Sequence, residues 1–573
     1  MNILGLNVFH ADTSACLIIN GEIIAAAEEE RFTRIKHFTG FPKNSIDFCC
    51  KEAKINLKDI DFISVNFNKE YNFKEKLFFS LKNFYSSNFF RRAIFSLRKS
   101  SLNKNFIKFY GIDLENKIYY IPHHLSHVAS SFLFHKIDNA IGFSIDGSGD
   151  FSTTEIFLID KNINLLEKIN YPHSLGIFYQ AMTQFLGFKN YGDEYKVMGL
   201  APYGLPIYKD RIKKIIKKNK NFFELNLKYF DHHKSVIDYD FNSGVPYFED
   251  LYSIELEKLI GKARTYDQQI SKHHKDLAAS IQEVFEEIIV DKLNEIYQKY
   301  KIDNLCLSGG CIFNSSLNGK IQSNTNYKNI YLSPNVGDAG GSIGSALYIA
   351  WKNKETLKYK KTPYLGTHYS NEYVEKNIIS LVKNDKNYSV KYFDKFEELC
   401  ELVSDNIIKA KVIGWFQDKM EWGPRALGNR SIIGDPRQKN MRDIINLKIK
   451  KREDFRPFAP SVLENDAKNY FEIEGSSPYM TSIYKVKEEQ KTKIPAVIHV
   501  NDTARVQTVS FNDNPKFHQL ISKFKEKTGI PMLLNTSLNV NEPICENPEN
   551  AFEVFTKTSM DLIAIQNWVL LKK

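Results

Sequence analysis

The sequence predicts an α/β protein of two domains, and three observations predict it. The chain has 573 residues, too many for one hydrophobic core. A strand–turn–strand pattern at the N-terminus recurs from Ala140 onward. Near WKNKETLKYKKTPYLG (Trp351 to Gly366) the chain turns polar and basic, with Pro and Gly, before α/β patterning resumes. The expected domains are therefore 1–355 and 365–573.

In order along the chain, ILGLNVF is the first strand and HADTSA its turn. ACLIIN follows, ends at an Asn20–Gly21 hairpin signal, and EIIAAAEE returns. The Phe/Lys-rich stretch between about Asn68 and Lys108 is expected to be helical decoration, in preference to a membrane-surface segment. IPHHLSHVASSF, starting at Ile121, is expected to be a helix. His123 and His127 stand four apart there, on one helical face. From Ala140 to Asn162 the hairpin pattern repeats, with Asp146-Gly147-Ser148-Gly149-Asp150 filling the turn. Two hairpins, each with an Asp in a polar turn, suggest a duplicated fold. In actin-like and sugar-kinase-like ATPases such turns face each other across a nucleotide cleft. Pro206 to Tyr266 is rich in Lys, Phe and Asp without sharp motifs and is read as a variable insertion. Asp276 to Tyr300 has a clear helical period, and the strand NLCLSGG follows.

The bulk numbers exclude little. The 43% hydrophobic and 25% charged residues are ordinary for a globular chain. A net charge of +10 is compatible with nucleic acid, membrane surface or anionic small substrates, but much of the excess is scattered Lys. The seven cysteines show no CxxC spacing and read as reduced thiols. The N-terminus lacks the pattern of a signal peptide, and no run of about 18 apolar residues suggests a membrane span. The expected location is the cytoplasm.

Chemistry concentrates in a few stretches. Two spaced histidines make an incomplete metal site, so further ligands must come from elsewhere. A zinc-protease motif would need Glu where His124 stands. Asp338, before Gly340-Gly341 in SPNVGDAGGSIGSA, is a helix cap or a metal ligand. LSGGCIFNSSLNGKI (Leu307 to Ile321) is strand, Gly-Gly, helix, a shape that admits a phosphate, ribose or adenine or simply packs tightly. Lys196 in GDEYKVMGLAPYG suits a triphosphate. Later, EWGPRALGNRSIIGDPR carries Arg425, Arg430 and Arg437. IKKREDFRPFAPSVL carries Lys450, Arg452 and Arg456, and HVNDTARVQTV carries Arg505. Gly and Pro indicate fixed loops, and guanidinium forks suit phosphate and carboxylate oxygens. A closed pocket for a small charged phosphate is favoured over a nucleic-acid patch, which would spread its cations along a face.

With these stretches in view, the chain resembles the O-carbamoyltransferase family that includes the nodulation-factor, cephem and tobramycin carbamoyltransferases. LGLNVFHADTSACLI, EEERFTRIKH, HHLSH, DGSGD, EYKVMGLAPYG, GDAGGSIGSA, EWGPRALGNRSI, KKREDFRPFAPSVL and LLNTSLNVNEPI carry the resemblance over nearly the whole length. It implies an N-terminal actin-like ATPase domain similar to the tRNA threonylcarbamoyltransferase. It also implies a C-terminal YrdC-like α/β domain similar to the threonylcarbamoyl-AMP synthase. The implied reaction takes carbamoyl phosphate in the C-terminal pocket and passes carbamate internally. ATP then converts carbamate to carbamoyl-adenylate, and a hydroxyl of a sugar or sugar-like natural product attacks it. The pocket's chemistry falls to Lys450, Arg456 and Arg505, with Arg425, Arg430 and Arg452 binding. Lys196, Gly309, Gly310 and Asn314 line the nucleotide, with Asp12 beside them. His123, His127, Asp146 and Asp338 hold one divalent or ferric metal, iron favoured over manganese or zinc, with Mg accompanying ATP. His10, in the family's His-Asp turn, takes the acceptor proton. Here that turn reads His-Ala-Asp, and HVND replaces the family's His-x-Asp-Gly.

Carbamoyl phosphate, ATP and a hydroxyl-bearing acceptor are thus the expected partners, with no nucleic acid and no membrane insertion; a homodimer is left open. The rivals are a tRNA threonylcarbamoyl-type enzyme and a non-catalytic nucleotide- or RNA-binding relative. The GPRALGNRS and REDFRPFAPS signatures argue against the first. The joint presence of His123, His127, Asp338, Lys450 and Arg456 argues against the second.

Overall fold

The computed structural model describes residues 1–82, 102–220, 222–234, 237–240, 244–358, 361–450 and 452–573. The chain forms two compact units, Met1–Lys361 and Thr362–Lys573.

In the first unit, β1 (Asn2–Asn7), β2 (Ser14–Ile19) and β3 (Glu22–Glu28) make an antiparallel meander. Asn20 and Gly21 both sit at positive φ, 48° and 75°, as a two-residue hairpin turn requires. β4 (Phe62–Val65) and β5 (Ile118–Tyr120) extend the sheet in parallel, giving the order β3-β2-β1-β4-β5. β6 (Ala140–Gly149), β7 (Ser152–Ile159) and β8 (Ile163–Asn170) form a second meander. β9 (Asn304–Ser308) and β10 (Asn329–Leu332) continue it in parallel from β6. Both sheets therefore run third, second, first, fourth, fifth. This is the duplicated topology of the actin-like ATPases.

The second hairpin departs from expectation. Its reversal lies at Asp150 and Phe151, with φ of 52° and 73°, and does not span Asp146 to Asp150. β6 runs on to Gly149, which pairs with Ser152, but the register slips between Ile145 and Gly149. A bulge of this kind re-aims side chains out of the ladder, and the residue it frees is Asp146.

Helix α1 (His123–His135) links the two sheets, α2 (Lys272–Tyr300) leads into β9, and α3 (Gly340–Lys352) follows β10. α2 starts at Ser271, whose side chain and that of His274 form a reciprocal cap. α3 lies directly on α1. A Cβ at Gly344 would fall 1.8 Å from the Ser126 carbonyl oxygen, so only glycine permits the approach. That contact brings the loop before α3 to the N-terminal turn of α1.

Of the two divergent stretches, 206–266 holds two small hairpins, Ile216–Asn219 with Phe222–Leu225 and Ile237–Asp240 with Val245–Phe248. Helices Phe73–Lys82 and Leu102–Tyr110 occupy part of 68–108, and the rest lies outside the described residues. Among the described residues no helix is long and apolar enough to cross a membrane.

The second unit is a mixed eight-stranded sheet. From one edge its strands are Tyr388–Tyr392, Trp568–Lys572, Leu562–Ile565, Ile413–Phe416, Arg430–Gly434, Met532–Ser537, Ala459–Leu463 and Gln507–Val509. Helices Phe396–Ile408, Pro515–Thr528 and Pro548–Lys557 bury their apolar faces in the same core as the strands.

Candidate active site

α1 begins immediately after Pro122, and the Asp150 Oδ2 accepts both the His123 N–H at 2.9 Å and the Asn68 N–H at 2.8 Å. This anchors the first turn of the helix. The His123 Nδ1 meets the Asn66 carbonyl at 3.2 Å, which leaves its Nε2 as the ligand-type nitrogen. His123 Nε2 and His127 Nε2 lie 3.0 Å apart. His127 Nε2 is 3.0 Å from Asp146 Oδ2 and 3.3 Å from Asp338 Oδ1. The corresponding distances from His123 Nε2 are 3.7 and 3.4 Å. One ligand atom from each of the four residues falls within 4.8 Å of the others.

The bulge in β6 and the loop before α3 therefore deliver two carboxylates to two imidazoles. Asp146 is steadied by N–H donation from Gly147 at 2.6 Å and Gly310 at 3.1 Å. Gly149 leaves room for the His123 ring, since a Cβ there would fall 2.0 Å from the His123 Cδ2. Asp338 Oδ2 pairs with His10 Nδ1 at 3.1 Å, while the buried Oδ1 has no hydrogen-bond partner among the described residues.

Electrostatics ask for positive charge at this point. Burial opposes an imidazolium at His123, but Asp146 and Asp338 outweigh it and raise its pKa to about 10. Burial would raise Asp338, yet His10, His123 and His127 hold it well below the usual carboxylate range. A two-imidazole, two-carboxylate set with an orphaned carboxylate oxygen fits iron, manganese or zinc. His124 turns away to Ser144 Oγ at 2.7 Å. Burial, with crowding from the other two histidines, pushes it down to about 3. The second histidine of HHLSH is therefore a neutral core residue.

The residues expected at a nucleotide are only partly gathered here. Gly310 touches Asp146 directly, and Gly309 sits at φ 95°, against the Ile145 backbone. Asn314 caps the helix Ser315–Asn324 and exchanges hydrogen bonds with Gln282. Lys196 pairs with Asp193 at 3.0 Å and lies over the Phe188 ring. Asp12 belongs to a neighbouring group with Glu30 and His37, bonding His37 Nδ1 at 2.7 Å.

In the second unit, four arginines converge. Burial, and then the charges of Arg425, Arg452 and Arg456, depress Arg505 well below its ordinary value. The Arg505 Nε is buried with no hydrogen-bond partner among the described residues. Crowded guanidiniums of this kind are a demand for anionic oxygens. The HVND turn preceding Arg505 stays tight because Asp502 takes φ 59°, the left-handed conformation glycine would favour.

Arg430 requires a correction. It sits on a central strand with its guanidinium wholly buried over the Phe416 ring. It donates to the carbonyls of Gln417, Asn429, Thr367 and Asp418. Its charge braces the sheet and the loop before it. The Lys450 ammonium is likewise engaged, donating to Ser537 O at 2.6 Å and to Asn539 O and Oδ1 at 2.7 Å each. Lys450 thus grips the turn of LLNTSLN. Arg437 pairs with Asp435.

Two acids that bind backbone N–H groups escaped the sequence reading. Asp150 was read as a turn residue and instead anchors α1. Glu421 uses one carboxylate oxygen to accept the N–H groups of Leu427, Asn429 and Arg430 at 2.7, 2.8 and 3.1 Å. A Glu opening a Gly/Pro/Arg loop was the available signal, but a loop folded around one oxygen has no sequence period.

A duplicated α/β fold with a metal-type cluster, joined in sequence to an arginine-rich α/β unit, defines a two-part protein with one cation-type and one anion-type site. Comparison with known proteins assigns the family. Models of the carbamoyltransferase N-terminus and C-terminus match residues 2–347 and 404–572, and the chain belongs to the carbamoyltransferase family. It is an enzyme of that type. It is 36% identical over 611 residues to an uncharacterized protein of Synechocystis sp., covering 100% of this chain and 97% of that one. It is 33% identical over 582 residues to nodulation protein NolNO of Sinorhizobium fredii, covering 99% and 80%. Superposition on full-length HypF in its phosphate- and nucleotide-bound form reaches a TM-score of 0.32. That match has 17% identity over 63% of this chain and 47% of that one, a likeness too loose to carry an argument.

Proposed function

We propose that this carbamoyltransferase moves a carbamoyl group from carbamoyl phosphate, through carbamoyl-adenylate formed with ATP, to a hydroxyl of a sugar or sugar-like acceptor. The observation that carries the reading is the presence of two chemically distinct sites in one chain. Crowded guanidiniums around Arg505 suit a phosphate-bearing donor. The His123, His127, Asp146 and Asp338 cluster, flanked by the Gly309-Gly310 turn, suits a polyanionic nucleotide near a cation. The four ligands would hold the metal, which when bound supplies positive charge against phosphate or carbamoyl oxygens.

The residues divide the remaining work. Arg425, Arg452, Arg456 and Arg505 bind and orient the donor anion. Glu421 and Lys450 keep the surrounding turns in place. His10 is the base: its Nδ1 proton directed at Asp338 leaves Nε2 as the basic nitrogen for the acceptor hydroxyl.

The test supplies carbamoyl phosphate and ATP singly and together, and follows phosphate and pyrophosphate. Phosphate release from carbamoyl phosphate, and pyrophosphate release needing both compounds, are expected. An acceptor panel read by mass spectrometry should show one carbamoyl group gained on a glycoside. Carbamoyl transfer at full rate without ATP refutes the adenylate route. Transfer only to tRNA or to a protein thiol refutes the acceptor class.

A further inference from the structure

The stretch between the GPRALGNRS and REDFRPFAPS motifs holds a residue that neither motif includes. Asn446 opens a π-helical turn, Asn446–Lys450. Such turns are rare and concentrate at functional sites. Asn446 is 3% exposed. Its Oδ1 accepts from Arg452 Nε at 2.9 Å. A guanidinium can only donate, so this bond settles which end of the amide is oxygen. The other end, Nδ2, is buried and has no hydrogen-bond partner among the described residues. A buried amide N–H₂ without an acceptor is costly and rare. Arg505 Nε is in the same condition, and Arg452 is one of the charges that crowd Arg505.

We propose that Asn446 Nδ2 donates directly to an oxygen of the phosphoryl-type anion gathered by Arg425, Arg452, Arg456 and Arg505. The proposal rests on the reading that this cluster takes carbamoyl phosphate. A neutral donor has a specific use at such a place. Four guanidiniums already exceed the charge of one small phosphate, and a fifth cation would add repulsion in the free site. An amide adds a directional hydrogen bond without adding charge. It also links that bond to Arg452, because the same side chain orients the Arg452 fork.

Direct donation and mere orientation of Arg452 are separable with a double-mutant cycle. Inorganic phosphate is the probe, titrated by calorimetry into the full chain and into Asn446→Ala, Arg452→Met and the double variant. Asn446→Ala should weaken phosphate binding about tenfold or more, the scale of a hydrogen bond to a charged group. A similar factor should persist in the Arg452→Met background. Asn446→Ser, which can still accept from Arg452, should weaken binding by a smaller factor and serves if the alanine variant does not fold. Unchanged binding in the Asn446 variants overturns the proposal, and so does an effect that vanishes once Arg452 is replaced. A wild-type chain that binds phosphate with this Asn446 dependence, yet releases none from carbamoyl phosphate, would overturn the proposed function and leave the donor assignment standing.

Discussion

Replacing Glu421 by Ala removes the acceptor around which the Arg425 loop is folded. One buried oxygen accepts three backbone N–H groups, from Leu427, Asn429 and Arg430, at 2.7 to 3.1 Å. Bonds to a charged acceptor are worth about 1.5 kcal/mol or more each, and donors left buried cost a comparable amount, so the loss is about 4 kcal/mol. Water entering the gap would offset a part of it. The same loop is tied elsewhere by Trp415 Nε1 donating to Gly428 O and by Gln507 Nε2 donating to Leu427 O, so the strain should spread through the unit. Three of the four tryptophans, Trp415, Trp422 and Trp568, lie in this unit, and the first two are buried. Urea unfolding followed by tryptophan fluorescence therefore reports on it. Glu421→Ala should shift the transition by about 4 kcal/mol, and Glu421→Gln, which keeps one oxygen, by about half of that. A shift below about 1 kcal/mol for the alanine variant would show that the carboxylate does not organise the loop.

Two further outcomes follow from the first unit. Gly149→Ala places a methyl group in the His123 ring position, so metal content after purification, read by inductively coupled plasma mass spectrometry, should fall sharply while secondary structure by circular dichroism is retained; full occupancy would contradict the crowding at that site. Glu155 is buried, and burial, against the hydrogen bonds of Ser152 and Tyr71, raises it to about 7. A carboxyl raised on folding binds its proton more tightly in the native state. Its stabilising contribution is therefore complete below about 4.5, the ordinary value of a glutamate, and lost as pH rises towards 7. Melting temperatures of wild type and Glu155→Gln between these pH values should diverge, the wild type losing ground relative to the variant; parallel curves would refute the shift.

The sequence by itself determined the elements and their repetition. Asn20–Gly21, the alternation in β1 to β3 and the long helical period ending at Tyr300 are local signals, and local sterics and periodicity decide them. It also nominated His123, His127, Asp146 and Asp338, because motif spacing and family resemblance preserve which residue types occur. Tertiary structure alone decided how those nominations divide. Arg425 and Arg430 stand in one loop motif, but a strand position turns Arg430 into the core to bond carbonyls while Arg425 joins Arg505. His123, His124 and His127 look equivalent in a string, but helix rotation aims one of them at Ser144. Asp146 reaches the histidines through a bulge that the hairpin pattern does not show, and Glu421 and Asn446 gain their roles from backbone and side-chain groups that fold back on them. Direction and burial are properties of the packed chain, and they set whether a charge holds the fold or faces a ligand.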